Sequence, residues 1–195
     1  INVGRSRIRN LLASKAKYSN LLFLDCDSDA SKNSNFIKNY VLNLEKTAVQ
    51  YGGTLYTSKK PEFKFLLHWA YGSQVESPKA DIRASKPYES FKTNNFIINK
   101  SVFNKVKFDE TINSYGYEDY KFAFELSANG YSIMHINNEV IHNGLNENEE
   151  FLTKIGISLK TLAKLYNSAQ IEETKLIKWY LKLKNWKTLG MVTFN

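Results

Sequence analysis

The sequence is poor in cysteine, proline and histidine, and it contains no long hydrophobic run. Of 195 residues, one is cysteine, three are proline and three are histidine. The single cysteine, Cys26, excludes an internal disulfide and any cysteine-rich zinc or iron–sulfur site, which favours a reducing compartment. No stretch approaches the roughly 18 apolar residues that a membrane-spanning helix needs. The apolar content of 43% is nevertheless sufficient for a folded core.

Positive charge is concentrated at the C-terminal end of the chain. The whole sequence has a net charge of +8, but residues 151–195 alone hold eight lysines and two glutamates, a net charge of +6. Residues 1–150 are therefore nearly balanced at +2. We expect a domain over residues 1–150 and a basic helical extension over residues 151–195. Because the larger part is nearly neutral, the charge argues against nucleic acid as a partner.

The hydrophobic pattern predicts alternating helices and strands, which is typical of an α/β protein. Helices are predicted around residues 8–16, 36–48, 65–71 and 118–129, strands at 21–24, 96–98, 131–136 and 140–142, and helical structure throughout the last 45 residues. The first helix is expected to bury Ile8, Leu11 and Leu12. The Leu-Leu-Phe-Leu run at 21–24 is typical of a strand that is buried on both faces in the parallel part of a sheet.

Asp25 and Asp27 follow this strand directly, where open α/β sheets bind ligands. Two carboxylates separated by one residue repel each other, and a divalent cation relieves that repulsion. Oxygen ligands of this kind suit Mg²⁺ or Mn²⁺, which complete their coordination with substrate phosphates. The alternative is a solvated acidic loop or an N-cap cluster, and the pattern by itself leaves both open.

Three further side chains could take part in chemistry. Glu118 and Asp119 begin a predicted helix, where the helix dipole and capping favour acids whatever their function. The same position also gives a carboxylate the fixed direction that a general base needs. His142 ends a predicted strand and could either ligate a cation held by the two aspartates or be structural. The other two histidines lie within apolar patterns and are expected to be structural.

Six motifs occur in an order that is more specific than any one of them. They are Arg-x-Arg-Asn at 7–10, a strand ending in Asp-Cys-Asp at 25–27, Thr-Asn-Asn-Phe at 93–96, Phe-Asp-Glu at 108–110, Gly-Tyr-Glu-Asp at 116–119 and Val-Ile-His at 140–142. With this set, the sequence resembles the family 2 glycosyltransferases of the GT-A fold from about Asn2 to Leu165. The likeness is greatest to bacterial members with a galactosyltransferase-type C-terminal segment.

The resemblance implies an α/β fold of the GT-A type, with a mixed, mostly parallel sheet flanked by helices and a C-terminal helical extension. Residues 1–150 would form the catalytic domain. Family members begin with a strand and an acidic loop that hold the uridine, and nothing similar precedes Ile1. We therefore expect a chain that lacks the first strands, with an incomplete donor site and an exposed sheet edge that invites self-association.

The resemblance also implies a role for each matching residue. Asp27 and His142 would bind Mn²⁺ or Mg²⁺ at the diphosphate of the donor. Asp119 would be the catalytic base that takes a proton from the acceptor hydroxyl, and Glu118 would hold the acceptor sugar. The residues implied in donor binding are Arg9, Asn10, Asp25 and Asn95.

The implied activity is a metal-dependent, inverting transfer of a hexose or N-acetylhexosamine from a UDP-sugar to a hydroxyl of a growing glycan. A cation neutralises the leaving diphosphate, a base activates the hydroxyl, and no second carboxylate for a double displacement is evident. The implied partners are a UDP-sugar donor and a glycan or lipid-linked acceptor, in bacterial polysaccharide biosynthesis. The expected location is the cytoplasm, or the inner face of the cell membrane as a peripheral protein.

Two other functions remain as alternatives. The chain could be a non-catalytic glycan- or membrane-binding module that has kept the fold of a degenerate transferase. A nucleotidyltransferase is the other alternative, but it would need a glycine-rich N-terminal phosphate loop, and the sequence contains none.

The C-terminal extension contains an amphipathic segment that has two explanations. Leucine, tryptophan and tyrosine side chains share one side of a predicted helix, and lysines share another: Leu176, Trp179, Tyr180, Leu183 and Trp186 against Lys175, Lys178 and Lys182. A basic amphipathic helix with tryptophan at its margin is typical of proteins that bind membrane surfaces. Residues 171–187 could thus form a peripheral membrane contact, or they could pack on the catalytic domain with the lysines in solvent.

Overall fold

Two small mixed sheets organise the fold, and helices flank them. The computed structural model describes the backbone of residues 4–188 and the side chains of residues 4–184. The strands are β1 (Asn20–Leu24), β2 (Ser28–Asp29), β3 (Val49–Tyr51), β4 (Thr54–Leu55), β5 (Asn95–Asn99), β6 (Ile133–His135) and β7 (Val140–His142). The helices are α1 (Arg5–Lys15), α2 (Phe36–Val41), α3 (Leu66–Tyr71), α4 (Ala80–Ala84), α5 (Lys100–Val106), α6 (Glu118–Ala128), α7 (Asn148–Asn167) and α8 (Lys175–Thr188). A 3-10 turn at Phe63–Phe65 precedes α3, and a π-helical turn at Gly72–Glu76 follows it.

The predicted mostly parallel sheet is wrong for the described strands. The larger sheet has the order β1-β5-β3-β6, and β5 runs antiparallel to both β1 and β3. Only β3 and β6 are parallel in this sheet. In the smaller sheet, β7 is antiparallel to β2 and parallel to β4. An apolar run indicates that a strand is buried, but it carries no information about the direction of its neighbours.

Aromatic side chains fill the core between the larger sheet and the helices. Phe96 on β5 is fully buried, and Phe23 on β1 stacks on it with ring centroids 4.7 Å apart. Phe122 on α6 stacks in turn on Phe108, at 4.2 Å, in the loop after α5. This core holds the end of β1 and the beginning of α6 in fixed positions, and both carry predicted site residues.

Strand β1 and helix α1 are present as predicted, but their buried faces differ from the prediction. β1 lies at the edge of the larger sheet, and Leu22 and Leu24 are 36% and 43% exposed, so the strand is not buried on both faces. The apolar residues Ile8, Leu11 and Leu12 of α1 point outward, and the helix packs through Ser6, Arg9 and Ala13 instead. Arg9 lies on the buried face of α1 with its ion pairs to Asp25 and Glu118, and the apolar periodicity does not reveal these pairs.

The other predicted elements have mixed outcomes. The strands at 96–98, 131–136 and 140–142 and the helix at 118–129 are confirmed, and Gly130 after α6 has the expected positive φ of 76°. The helix predicted over 36–48 ends at Val41, because the chain turns there toward β3, a central strand that the sequence did not predict.

The C-terminal residues that the structure describes are helical as predicted, with a break between α7 and α8. The prediction also covered residues 189–195 and the side chain of Trp186, which lie outside the described residues. Ile177 of α8 is buried in a cluster with Leu162 and Leu165 of α7 and with Ile112, which lies between α5 and α6. The C-terminal helices therefore pack on the rest of the chain through a shared apolar cluster. Among the described helices, none has the length and apolar character required to cross a membrane.

Candidate active site

The turn after β1 carries Asp25 and Asp27 to the junction of the two sheets. The backbone N–H of Asp25 donates a 3.0 Å hydrogen bond to the carbonyl of Asn94, which directly precedes β5. The N–H of Ser28 donates to the carbonyl of Asp25 at 3.0 Å and closes a tight turn. Strand β2 then pairs with β7, so that Ser28 lies opposite His142. Asp27 and His142 are close because of this strand pairing.

Asp27 and His142 contact each other beside the β2–β7 pair. His142 Nδ1 lies 3.5 Å from Asp27 Oδ1, and this oxygen is buried without a hydrogen bond from the described residues. The N–H of Asn143 donates to the carbonyl of Asp27 at 2.8 Å, which holds the backbone of the turn. Gly144 packs against the carboxylate so closely that a Cβ at this position would overlap Oδ2 of Asp27. The backbone thus holds one carboxylate and one imidazole together.

These two side chains fit one side of a divalent-cation site. Carboxylate oxygen and imidazole nitrogen are suitable ligands for Mn²⁺, and carboxylate oxygen also suits Mg²⁺. A buried carboxylate oxygen without a hydrogen bond is costly, and a bound cation would satisfy it. Within the described part of the chain, no group of three or more histidine, cysteine, aspartate or glutamate side chains could hold a metal ion. Substrate or water would have to supply the remaining ligands.

The guanidinium of Arg9 joins the Asp25 turn to the beginning of α6. Its Nη2 lies 3.2 Å from Asp25 Oδ1, and its Nη1 lies 3.3 Å from Glu118 Oε1. Arg5 also pairs with Glu118, at 3.5 Å. The side chains of Arg9 and Glu118 are only 9% and 6% exposed, so water screens their pair weakly. Three predicted site residues from distant parts of the sequence therefore meet at one guanidinium.

Asp119 is the second residue of α6 and lies next to this cluster in sequence. Its Oδ1 accepts a 2.8 Å hydrogen bond from the backbone N–H of Tyr120, and its Oδ2 lies 3.3 Å from Nζ of Lys92. The Asp119 carboxylate, and then the charge of Glu76, raise the pKa of Lys92. Lys92 is therefore a cation at neutral pH, and it was not predicted to be a site residue.

Tyr56 and Glu76 lie beside His142. The rings of Tyr56 and His142 are 5.3 Å apart, and the Tyr56 hydroxyl donates a 2.6 Å hydrogen bond to Glu76. Burial, and then the Glu76 charge, raise the pKa of Tyr56, so the phenol stays protonated. Glu76 ends the π-helical turn, and such turns are frequent at functional sites. In the sequence this segment looks irregular, and no pattern distinguishes these side chains.

His68 packs on the other side of His142. The two rings are 5.6 Å apart, and the His68 ring stacks on Phe151 with centroids 4.5 Å apart. His68 Nδ1 accepts a 2.9 Å hydrogen bond from the backbone N–H of Asn146. Burial, and then the proximity of His142, lower the pKa of His68. His68 is thus a neutral side chain that supports the ring of His142.

Asn10 is engaged in holding α1 to the loop after α5. Its amide donates to the carbonyl of Phe108 at 2.9 Å and accepts from the N–H of the same residue at 3.0 Å. It also donates to Glu110 at 2.9 Å. These bonds use the amide for a structural contact, and the structure does not bring Asn10 to the Asp27–His142 pair.

Asn95 is fully buried and has a similar structural role. Its side chain accepts a 2.7 Å hydrogen bond from the Tyr40 hydroxyl and donates to the carbonyls of Gly53 and Asn138 at 2.9 Å each. The neighbouring Asn94, rather than Asn95, contacts the Asp25 turn. The contact is made by the backbone carbonyl of Asn94, which accepts from the N–H of Asp25.

Two pockets lie near α1, and neither is lined by Asp27 or Asp119. One of about 670 Å³ includes Asn10 and Glu110 on the outer side of α1. The other, of about 450 Å³, is lined by Arg5, Tyr115 and Glu118 at the beginning of α6. The second pocket adjoins the cluster around Arg9.

Comparisons with known proteins yield a structural likeness only. No protein-family model matches the chain, and no curated protein matches it. Among solved structures, the chain is similar to the crystal structure of S. aureus TarS 1–349, with 14% sequence identity and a TM-score of 0.48. The similarity covers 72% of this chain and 40% of the TarS chain.

Proposed function

We propose that this protein is a metal-dependent, inverting glycosyltransferase that moves a hexose or N-acetylhexosamine from a UDP-sugar to a hydroxyl of a growing glycan. The observation that carries the proposal is the double ion pair of Arg9. It joins the Asp25 turn, which leads to Asp27, to Glu118, which precedes Asp119. This contact supports a single site in which Asp27 would bind the leaving diphosphate and Asp119 would activate the acceptor.

Asp27 and His142 would hold the cation, Mn²⁺ or Mg²⁺, in this mechanism. When bound, the cation would neutralise charge that develops on the leaving diphosphate. Gly144 leaves the space that the Asp27 carboxylate occupies, and the ring of His68 packs near that of His142. Asp27 and His142 would fill only two of the coordination positions of the cation. The remaining positions suit a cation that binds together with a nucleotide diphosphate.

Asp119 would act as the base that accepts the proton of the acceptor hydroxyl. Its carboxylate is held from one side by the N–H of Tyr120 and from the other by Lys92. Lys92 would orient Asp119 before the acceptor arrives, because an ion pair restricts the rotamers of both side chains. Glu118 would hold the acceptor sugar, with its carboxylate oriented by Arg5 and Arg9. Asp25 would take part in donor binding, with its carboxylate oriented by Arg9.

The proposed partners are a UDP-sugar and a glycan or lipid-linked acceptor, and the proposed location is the cytoplasm or the inner face of the cell membrane. The alternative is a non-catalytic glycan- or membrane-binding module. The buried pair of Arg9 and Glu118 is compatible with that alternative, because an ion pair of this kind can also be purely structural. Metal binding and turnover distinguish the two functions.

The test measures binding and turnover separately in the full-length protein. Thermal unfolding with Mn²⁺ and UDP reports binding, and release of UDP from a panel of UDP-sugars with glycan acceptors reports transfer. We expect Asp27→Asn to lose the stabilisation by Mn²⁺ with UDP, and Asp119→Asn to keep it while losing at least about a hundredfold in transfer. Asp81→Asn, an exposed change on α4, is the matched control and should leave both unchanged.

Each result decides one part of the proposal. If Mn²⁺ with UDP does not stabilise the wild-type protein, the non-catalytic alternative is favoured. If the wild-type protein binds and transfers but Asp119→Asn retains normal turnover, Asp119 is not the base. If Asp27→Asn keeps the full response to Mn²⁺, the assignment of the metal ligands is wrong.

A further inference from the structure

Helix α8 presents three distinct faces along its length. Residues 177 and 181 pack inward, and Ile177 is buried in the cluster that also contains Ile112 and Leu165. Thr174 begins the helix, because its hydroxyl accepts a 3.2 Å hydrogen bond from the N–H of Ile177. The packed face therefore fixes the helix on the protein, and the two remaining faces are directed outward.

One outward face is apolar and the other is basic. Residues three or four positions apart share a face of a helix, so the following apolar side chains form one continuous strip. They are Leu176 (47% exposed), Trp179 (58%), Tyr180 (62%) and Leu183 (51%). The basic face consists of Lys175, Lys178 and Lys182, all of which are exposed. We call these two surfaces the apolar strip and the lysine face.

We propose that α8 binds the surface of an anionic lipid bilayer, with the apolar strip in the interface and the lysine face toward the lipid headgroups. Leucine and tryptophan beside lysines on one exposed helix are the combination that interfacial helices use. Tryptophan and tyrosine are also favoured at the level of the headgroups. This inference goes beyond the proposed transferase activity and does not depend on it.

Charge determines which partner fits this surface. From residue 174 to residue 195 the sequence contains five lysines and no acidic residue. A second copy of the same helix would bring like charges together, which disfavours self-association through this face. An anionic bilayer instead attracts each lysine by about 1 kcal/mol and also takes up the apolar strip. Nucleic acid would use the lysine face only and would leave the leucines in water.

The position of α8 gives this binding a consequence for the site. Tyr117 and Tyr120 pack against the same cluster as Ile177, and they flank Glu118 and Asp119 in the sequence. The membrane-binding helix is therefore attached to the same part of the protein as the proposed base. If the acceptor is linked to a lipid, this attachment would bring it near Asp119.

The experiment measures co-sedimentation of the full-length protein with vesicles. One set contains phosphatidylcholine alone, and the other contains phosphatidylcholine with phosphatidylglycerol, each at low and high salt. The apolar-strip variant is Leu176→Ser with Trp179→Ser and Leu183→Ser, and the lysine-face variant is Lys175→Gln with Lys178→Gln and Lys182→Gln. The charge control is Lys32→Gln with Lys38→Gln and Lys46→Gln, which are exposed lysines distant in sequence from α8. The aromatic control is Tyr18→Ser with Phe63→Ser, which are 81% and 82% exposed.

We expect the wild-type protein to bind vesicles with phosphatidylglycerol and to be released by salt. The apolar-strip variant should lose binding, and the lysine-face variant should bind about a hundredfold more weakly, since three lysines contribute about 1 kcal/mol each. Both control variants should bind as the wild type does. Circular dichroism and thermal unfolding should be unchanged, because none of the altered side chains is buried.

A second measurement keeps the test independent of variant folding. In a protein with Trp69→Phe and Trp186→Phe, Trp179 should shift its fluorescence to shorter wavelength when anionic vesicles are added. Absence of this shift together with absence of co-sedimentation would overturn the proposal. Equal binding by the apolar-strip variant, or equal loss in the charge control, would also overturn it. If the wild type and the apolar-strip variant bind duplex DNA equally tightly, the partner is nucleic acid instead.

Discussion

Nζ of Lys92 lies 3.3 Å from Oδ2 of Asp119, at the first turn of α6. The carboxylate is the largest contribution that raises the pKa of Lys92. We predict that Asp119→Asn lowers this pKa toward the ordinary value for lysine, which NMR titration of the Lys92 side chain measures. The signal of Lys86, whose partner is Glu89, serves as the internal control and should not change. An unchanged Lys92 titration would mean that the two groups do not interact in solution.

The same pair has a predictable effect on stability. Because the pKa of Lys92 is raised in the folded state, its contribution is present below the unfolded-state pKa of about 10.4 and is lost as the pH rises above it. The Lys92 side chain is 46% exposed, so water screens the pair and the contribution is at most about 1 kcal/mol. Urea unfolding of the wild type and of Lys92→Met, at neutral and at alkaline pH, measures this contribution. The difference in the free energy of unfolding between the two proteins should be smaller at alkaline pH.

Gly144→Ala should affect metal binding more than folding. A methyl group at this position would overlap Oδ2 of Asp27 and displace the carboxylate. We expect at least about tenfold weaker Mn²⁺ binding, which is the scale for a misplaced ligand, measured by isothermal titration with UDP present. Gly156→Ala on α7 is the matched control, because space for a methyl group exists there. The control should stabilise α7 by up to about 1 kcal/mol and leave metal binding unchanged. Equal Mn²⁺ affinity in both variants would contradict the metal assignment.

Arg9→Gln should destabilise the protein strongly. It would leave the buried carboxylate of Glu118 with only the exposed Arg5 as a partner. Breaking a buried pair costs about 3–5 kcal/mol, and we expect the lower end of that range because Arg5 remains. Chemical unfolding measures the loss. Arg7→Gln, on the exposed face of the same helix, should change stability by less than about 0.5 kcal/mol.

A double variant tests the origin of this effect. Arg9→Gln with Glu118→Gln removes both charges, and its loss should be clearly smaller than the sum of the two single losses. If the single losses are simply additive, the ion pair is not formed in solution.

The buried His68 and the half-buried His135 predict that the protein loses stability in mild acid. His135 Nδ1 accepts from Nε of Arg83 and its Nε2 donates to the carbonyl of Pro87, which is possible only for the neutral ring. Burial first, and the Arg83 charge as a smaller cause, lower the pKa of His135, and burial also lowers that of His68. In mild acid, these two histidines therefore bind more protons in the unfolded chain than in the folded protein.

The sign of this effect follows from the lowered pKa values. Stability from both histidines is complete above the unfolded-state pKa of about 6.5 and is lost as the pH falls below it. Unfolding experiments across this range should show the decrease, and His135→Gln should weaken it, because glutamine can donate to Pro87 and accept from Arg83 without titrating. If His135→Gln does not alter the pH dependence of stability, other groups cause the loss of stability in acid.

Some of the candidate site could be predicted from the sequence, because it depends on local pattern. Asp25 and Asp27 follow a strand, Glu118 and Asp119 begin a helix, and His142 ends a strand, all as predicted. Local periodicity and the position of polar residues at element ends report these features directly. The roles of these residues in metal binding and catalysis stay predictions.

Other parts could not be predicted, because they depend on contacts between distant residues. The direction of β5 and the position of β1 at the sheet edge follow from strand order, which hydrophobicity does not encode. The inward face of α1 carries Arg9, with its ion pairs, and Ala13 rather than the leucines. The backbone carbonyl of Asn94 contacts the Asp25 turn, while the side chain of Asn95 is used in buried hydrogen bonds to Tyr40, Gly53 and Asn138.

The sequence alone therefore determined the strands β1, β5, β6 and β7, the helices α1 and α6, the acids at the ends of these elements and the basic character of the C-terminal helix. Tertiary structure decided which of these groups meet. Asp25 and Glu118 meet at Arg9, Asp119 meets Lys92, and Ile177 is buried in an apolar cluster with residues of α7. The physical reason is that periodicity describes burial within one element. Ion pairs between residues more than a hundred positions apart form only when the core has brought their elements together.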